Sequence, residues 1–165
     1  MKKVAIIMGS DSDLPVLEPA FDILKQFNIS FEVHVYSAHR TPETVLEFSR
    51  NAYSNDIGVI IAAAGKAAHL AGVIASHTAV PVIGVPVKSS TLDGMDALLS
   101  TVQMPGGVPV ATVAINGSKN AALLACEILS LSDETLMERI LEFREIMMAD
   151  VLKKNDEVFK KYSNL

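Results

Sequence analysis

The chain of 165 residues has a single cysteine and no tryptophan, and aromatic residues make up only 5% of it. One cysteine excludes an internal disulfide framework and a multi-cysteine metal site. Cys126 lies in an Ala/Leu-rich stretch that reads as a buried helix, where a thiol acts as a small hydrophobe. Positive charge is also short: 14 Lys and Arg against 19 Asp and Glu give a formal net charge of -5. Only the tail (Lys153, Lys154, Lys160, Lys161) is locally basic, and there the cations are interleaved with acids. This argues against a nucleic-acid groove or a membrane-surface patch. No apolar run reaches the length of a membrane span, and Met1-Lys2-Lys3 leads straight into an apolar run too short for a signal peptide. The expectation is a cytoplasmic protein with neither nucleic acid nor membrane as partner. What the chain does have is aliphatic bulk. Half of its residues are hydrophobic, enough for one domain to fill a core without disulfides or metals.

Short runs rich in Val and Ile alternate with longer amphipathic stretches, the pattern of a parallel sheet covered by helices on both faces. The strands read are Val4–Met8, Phe31–Tyr36, Val59–Ala63, Val82–Val85 and Val110–Ile115. The helices read between them are Asp13–Phe27, Thr41–Tyr53, Lys66–Ser76, Leu92–Thr101 and Ser118–Leu129. Asp13 with Pro15, and Thr41 with Pro42 and Glu43, supply helix-start signals. There is no linker or internal repeat, so the expected architecture is a single α/β domain over 1–165, doubly wound around five parallel strands in the flavodoxin-like manner.

The segment 132–162 differs, because its apolar stripe (Leu136, Ile140, Phe143, Met147, Val151) has no following strand to cross to. A helix of roughly 30 residues spans about 45 Å, longer than a small domain is wide. It reads as a long C-terminal helix that either lies across its own subunit, broken near Asp150, or forms an arm for subunit contacts.

In an open parallel sheet, ligands sit outside the carboxyl ends of the strands. Three loops there carry chemistry. Gly9-Ser10-Asp11-Ser12-Asp13 follows the first strand and offers a tight turn, hydroxyls and a carboxylate suited to ribose and phosphate; it lacks the later glycines or Lys of a dinucleotide fingerprint or a P-loop. Ser12 or Asp13 also suits a plain helix cap. Ser37-Ala38-His39-Arg40-Thr41-Pro42 follows the second strand. Histidine can take and give a proton near neutral pH, and arginine can clamp a phosphate through two N–H bonds. Ala64-Gly65-Lys66-Ala67-Ala68-His69 follows the third strand, with small residues that let backbone approach a ligand. His69 can face the site or sit as an ordinary helix histidine; His34 and His77 read as structural. Gln103–Pro109, with two prolines and two glycines, reads as a pocket wall or a plain connector.

Together GSDSD, SAHRTP, AAAGKAAHLAG, PVIGVPV and SxxQMPxGVPVATVAI followed by NAALLA resemble the class I PurE family, in the family's order from Val4 to about Leu129. The resemblance implies a mutase of purine synthesis that moves a carboxylate of an aminoimidazole ribonucleotide from its exocyclic nitrogen to a ring carbon, without metal or cofactor. It implies that His39 shuttles the proton and that Ser10, Asp13 and Arg40 bind substrate. With the loop reading it extends the binding set to Ser37, Ala64, Gly65, Lys66 and His69. It also implies a homo-octamer and a functional link to the ATP-dependent carboxyaminoimidazole ribonucleotide synthase.

Three departures stand out. The family's stretch is GAGGAAHLPG, whereas here Ala63 and Lys66 replace glycines and Ala71 replaces proline. Class II relatives carboxylate the aminoimidazole ribonucleotide directly with carbon dioxide; they carry a basic residue at the place of Lys66, with SAHK and a serine-asparagine pair. SAHR and Ala67-Ala68 side with class I, and Lys66 does not. A flavodoxin-like module that only binds a phosphorylated ligand is the rival outside enzymes, though the chain has little aromatic surface to sandwich a flavin.

Overall fold

The structure, a computed structural model, describes residues 2–163. In chain order it has β1 (Lys3–Met8), a 3-10 turn (Asp11–Asp13), α1 (Leu14–Gln26), β2 (Phe31–Val35), α2 (Pro42–Asn51), β3 (Ile57–Gly65), α3 (Leu70–Ala75), β4 (Val82–Val87), α4 (Met95–Val102), β5 (Ala111–Thr112), α5 (Ser118–Ser130) and α6 (Glu134–Tyr162). The sheet order is β2-β1-β3-β4-β5, and every neighbouring pair is parallel. This is the doubly wound, flavodoxin-like order, in which the winding reverses between β1 and β3.

The period-2 geometry of a strand sends alternate side chains to opposite faces. Val4, Ile6 and Met8 of β1 therefore join α1, α5 and the start of α6 in one core. Ala5 and Ile7 join Val45 of α2 and Leu70 and Ile74 of α3 in the other. A strand buried on both sides has no use for polar residues, which is why β1, β3 and β4 are almost unbroken apolar runs. β2 lies at the edge and is only partly covered, leaving Val33 and Val35 exposed. Gly84 of β4 is required by close packing, since a Cβ there would collide with Thr101 of α4.

Several boundaries differ from the sequence reading. β5 pairs over two residues only, not over Val110–Ile115. Beyond it the chain is held by single bonds, Val113 N–H to Gly84 O at 3.0 Å and Asn116 N–H to Pro86 O at 2.8 Å. β3 runs on through Ala64 and Gly65, and α3 begins at Leu70, four residues later than Lys66. The reason is local: Lys66 has φ +55°, a left-handed conformation that cannot start a right-handed helix.

α6 is one unbroken helix through Asp150. Its first half is anchored. Asp133 caps it through Leu136 N–H, Leu136 and Ile140 are buried, Phe143 meets Phe27 edge-on, and Arg139 donates to Phe27 O. Its second half is bare, with Met147, Met148, Val151, Leu152, Val158 and Phe159 all exposed. Among the described residues, no helix is long and apolar enough to cross a membrane.

Candidate active site

At the carboxyl ends of the strands a cavity of about 740 Å³ opens at the point where the winding reverses. Its walls come from four loops. Gly9, Ser10, Ser12 and Asp13 follow β1; Ser37, His39 and Arg40 follow β2; Ala64 and Gly65 end β3, with Lys66 and Ala67 after them; Val87 ends β4, with Lys88, Ser89 and Ser90 after it. The structure thus brings together every binding or proton-carrying residue expected from the sequence, His69 excepted.

The loop after β2 is tightly tied. Ser37 Oγ accepts the backbone N–H of His39 at 2.7 Å and of Arg40 at 3.4 Å. Thr41 Oγ1 accepts Ser37 N–H at 3.0 Å and donates to Ser37 O at 3.2 Å. Thr41 therefore makes no side-chain cap for α2, contrary to the capping reading, because its hydroxyl serves the loop. Arg40 Nη2 donates to Gly9 O at 3.1 Å, joining this loop to the one after β1. Its remaining N–H groups are enough to grip a phosphate.

In the β1 loop, Ser12 Oγ lies 2.9 Å from Ser10 Oγ, which also accepts Ser12 N–H at 3.3 Å. Asp13 makes no side-chain cap for α1 either. It is 8% exposed, and burial pushes its carboxyl above the ordinary range, against the lowering effect of hydrogen bonding from Ser10. The carboxyl thus sits buried at the cavity wall with its ionisation held back.

His69 is not a wall of this cavity, but it touches one. Its Nδ1 lies 3.1 Å from His39 Nε2, and the rings meet edge to face at 5.2 Å. One ring donates to the other, so the tautomers of the two histidines are linked. Behind it, a smaller cavity of about 320 Å³ is lined by His69, Met104, Pro105 and Val108 among others. The Gln103–Pro109 loop thus walls that second cavity rather than the main one. The segment Lys66–His69, read as the N-terminus of a helix, is instead a turn whose own bonds, Ala68 N–H to Lys66 O and His69 N–H to Ala67 O, use two of the N–H groups.

The other histidines are engaged elsewhere: His34 meets Glu32 and stacks on Tyr36, and His77 meets Ser76 and Val73 O at the end of α3. Cys126 is fully buried and its thiol is pushed up to about 12 by burial, which leaves no thiolate for chemistry. The β4 loop was missed from the sequence. The rule that singled out the other three loops applies equally to Lys88-Ser89-Ser90, a cation and two hydroxyls directly after a strand.

An open parallel α/β sheet with a histidine, an arginine and several hydroxyls gathered in one cavity at its switch point has the layout of a small-molecule enzyme. A family model described as AIR carboxylase matches residues 3–150, and the chain belongs to that family. It is 53% identical over 168 residues to N5-carboxyaminoimidazole ribonucleotide mutase of Thermotoga maritima, covering 99% of this chain and 98% of that protein. It is 58% identical over 147 residues to the mutase of Pyrococcus abyssi, covering 89% and 84%. A solved structure of PurE from Treponema denticola superposes with a TM-score of 0.85 at 30% identity, covering 93% of this chain and 96% of that one.

Proposed function

We propose that this chain is an N5-carboxyaminoimidazole ribonucleotide mutase, an isomerase of purine synthesis, with His39 as its proton carrier. The observation that carries the reading is the placement of His39 and Arg40 beside Ser10 and Asp13 in one cavity, in a chain aligned almost end to end with proteins of that name. Arg40, Ser10 and the Ser37 loop take the phosphate and ribose; Ala64 and Gly65, small and at the end of β3, let the transferred group lie against backbone.

The chemistry requires that the bond from the exocyclic nitrogen to the carboxylate break, that nitrogen gain a proton, and the ring carbon then attack the released carbon dioxide and lose its own proton. One proton is given and one taken, so a single imidazole can serve both steps and end as it began. The electron-rich ring is the nucleophile, and holding carbon dioxide beside it avoids a second encounter. His69, bonded to His39, keeps the imidazole aimed. Lys66, at the cavity wall, reaches an anionic group of the substrate.

The deciding assay supplies the carboxyamino ribonucleotide and, separately, the aminoimidazole ribonucleotide with bicarbonate. Turnover of the first alone supports the mutase. Turnover of the second at comparable rate makes the chain a direct carboxylase, and saturable binding without turnover makes it a binding module.

The bare half of α6 is the arm of an assembly, which we take to be a homo-octamer in the cytoplasm, working in sequence with the ATP-dependent synthase that makes its substrate. Removing 147–165 should yield smaller particles in light scattering, because the apolar groups that cover a neighbour are gone. An unchanged particle size removes the arm.

A further inference from the structure

The β4 loop holds a cation that neither the expected site nor the proposed mechanism uses. Lys88 lines the main cavity, and its Nζ lies 2.9 Å from Asp93 Oδ1. The backbone sets this pairing up. Lys88 N–H is fixed by Asn116 Oδ1 at 2.8 Å, while Asp93 and Gly94 both take positive φ, +54° and +92°, and turn the chain back on itself. Gly94 packs so closely that a Cβ would sit 3.1 Å from Lys88 Cα and 2.7 Å from Ile115. Both ends of the ion pair are more than half exposed, so it contributes little to holding the fold. A tightly specified loop that ends in a weakly stabilising ion pair at a cavity wall calls for another use.

The cations of the cavity are spread along the sheet edge. Arg40 reaches the β1 loop, Lys66 follows β3, and Lys88 follows β4, two strand spacings from β1, on the order of 10 Å. A carboxylated imidazole ribonucleotide is likewise charged at two ends, phosphate at one and carboxylate at the other. We propose that Lys88 binds the carboxylate of the ligand and that Asp93 is an internal stand-in for it, holding Lys88 in place until the ligand carboxylate takes over. This rests on the ribonucleotide reading above. Asp93 then competes with the ligand, and the two members of one ion pair have opposite effects on affinity.

The test is equilibrium binding of two ligands, the 4-carboxy-5-aminoimidazole ribonucleotide and the aminoimidazole ribonucleotide that lacks the carboxylate, to the full chain and to two variants. Lys88→Met should weaken the carboxylated ligand roughly tenfold, and leave the other within about twofold of the parent chain. Asp93→Asn, which keeps a side chain tolerant of left-handed φ and removes only the charge, should tighten the carboxylated ligand. Equal weakening of both ligands by Lys88→Met would place Lys88 on the phosphate and overturn the proposal. Weakening by both substitutions, or by neither, would make the pair purely structural and overturn it as well. If the parent chain binds neither ribonucleotide, the mutase reading falls, and this inference with it.

Discussion

The two walls of the cavity are built on different principles. The wall from β1 and β2 is knitted by hydrogen bonds: Ser37, His39, Arg40, Thr41 and Gly9 are each bonded to at least one of the others. The wall from β3 and β4 has no such net across it. It is shaped by backbone that runs left-handed at Lys66, Asp93 and Gly94, by small residues, and by two lysines. The first arrangement fixes atoms to within a fraction of an ångström, as proton transfer requires. The second stores strain and offers charges that can change partners, as binding and release require.

Breaking the first wall should cost most. His39→Asn keeps the volume and a hydrogen bond but cannot carry a proton at neutral pH, so turnover should fall by about 10²–10⁴-fold with binding largely kept. A variant holding more than a tenth of the parent rate in steady-state kinetics would remove His39 from the chemistry. Arg40→Ala should act next, raising KM by tenfold or so through loss of charge-assisted bonds. Inorganic phosphate should inhibit the parent more than this variant, and equal inhibition would move the phosphate elsewhere.

Asp13 sharpens the contrast by pH. Its folded pKa is raised above 3.8 by burial, so the stability that the protonated carboxyl supplies is whole below that value and is lost as pH rises through the folded pKa. Asp13→Asn should therefore melt above the parent at pH 7, and the two melting curves should converge as the pH is lowered to about 3.8. A gap that stays constant with pH would show that the carboxyl does not titrate in this way. The smallest effect belongs to the second wall: Lys66→Gly relieves a left-handed non-glycine residue and should stabilise the fold by about 1 kcal/mol. It should also raise KM if Lys66 meets the substrate. Denaturant midpoints and KM read the two effects separately, and no gain in stability would mean that Lys66 is not strained.

The architecture was legible because burial on both faces forces unbroken Val/Ile runs, and such runs leave few choices of strand. The first three site loops were legible for a related reason: function in this topology lies after strands, and His39, Arg40 and Ser10 are conspicuous there. What escaped was backbone conformation. Nothing in helix propensity shows that Lys66 is left-handed, so the start of α3 was placed too early, on residues that form a turn. Asp13 and Thr41 stand at the N-cap positions the sequence gives them, each with proline in the first turn, but neither side chain caps its helix; at Thr41 the hydroxyl serves the loop instead. The Lys88 loop was passed over because it contains no histidine, and its glycine, Gly94, lies at the start of α4 rather than beside Lys88.

The division of α6 into a packed half and a bare half has a dynamic consequence. A helix half with little tertiary contact depends on its own marginal propensity, so in a lone subunit amides beyond Met147 should exchange with solvent long before those between Leu136 and Phe143. Any neighbour that covers the bare half adds protection only there, and does so in proportion to how often it is bound. Order in this last stretch of backbone is then a property of protein concentration, and one helix carries within it both a record of folding and a gauge of assembly.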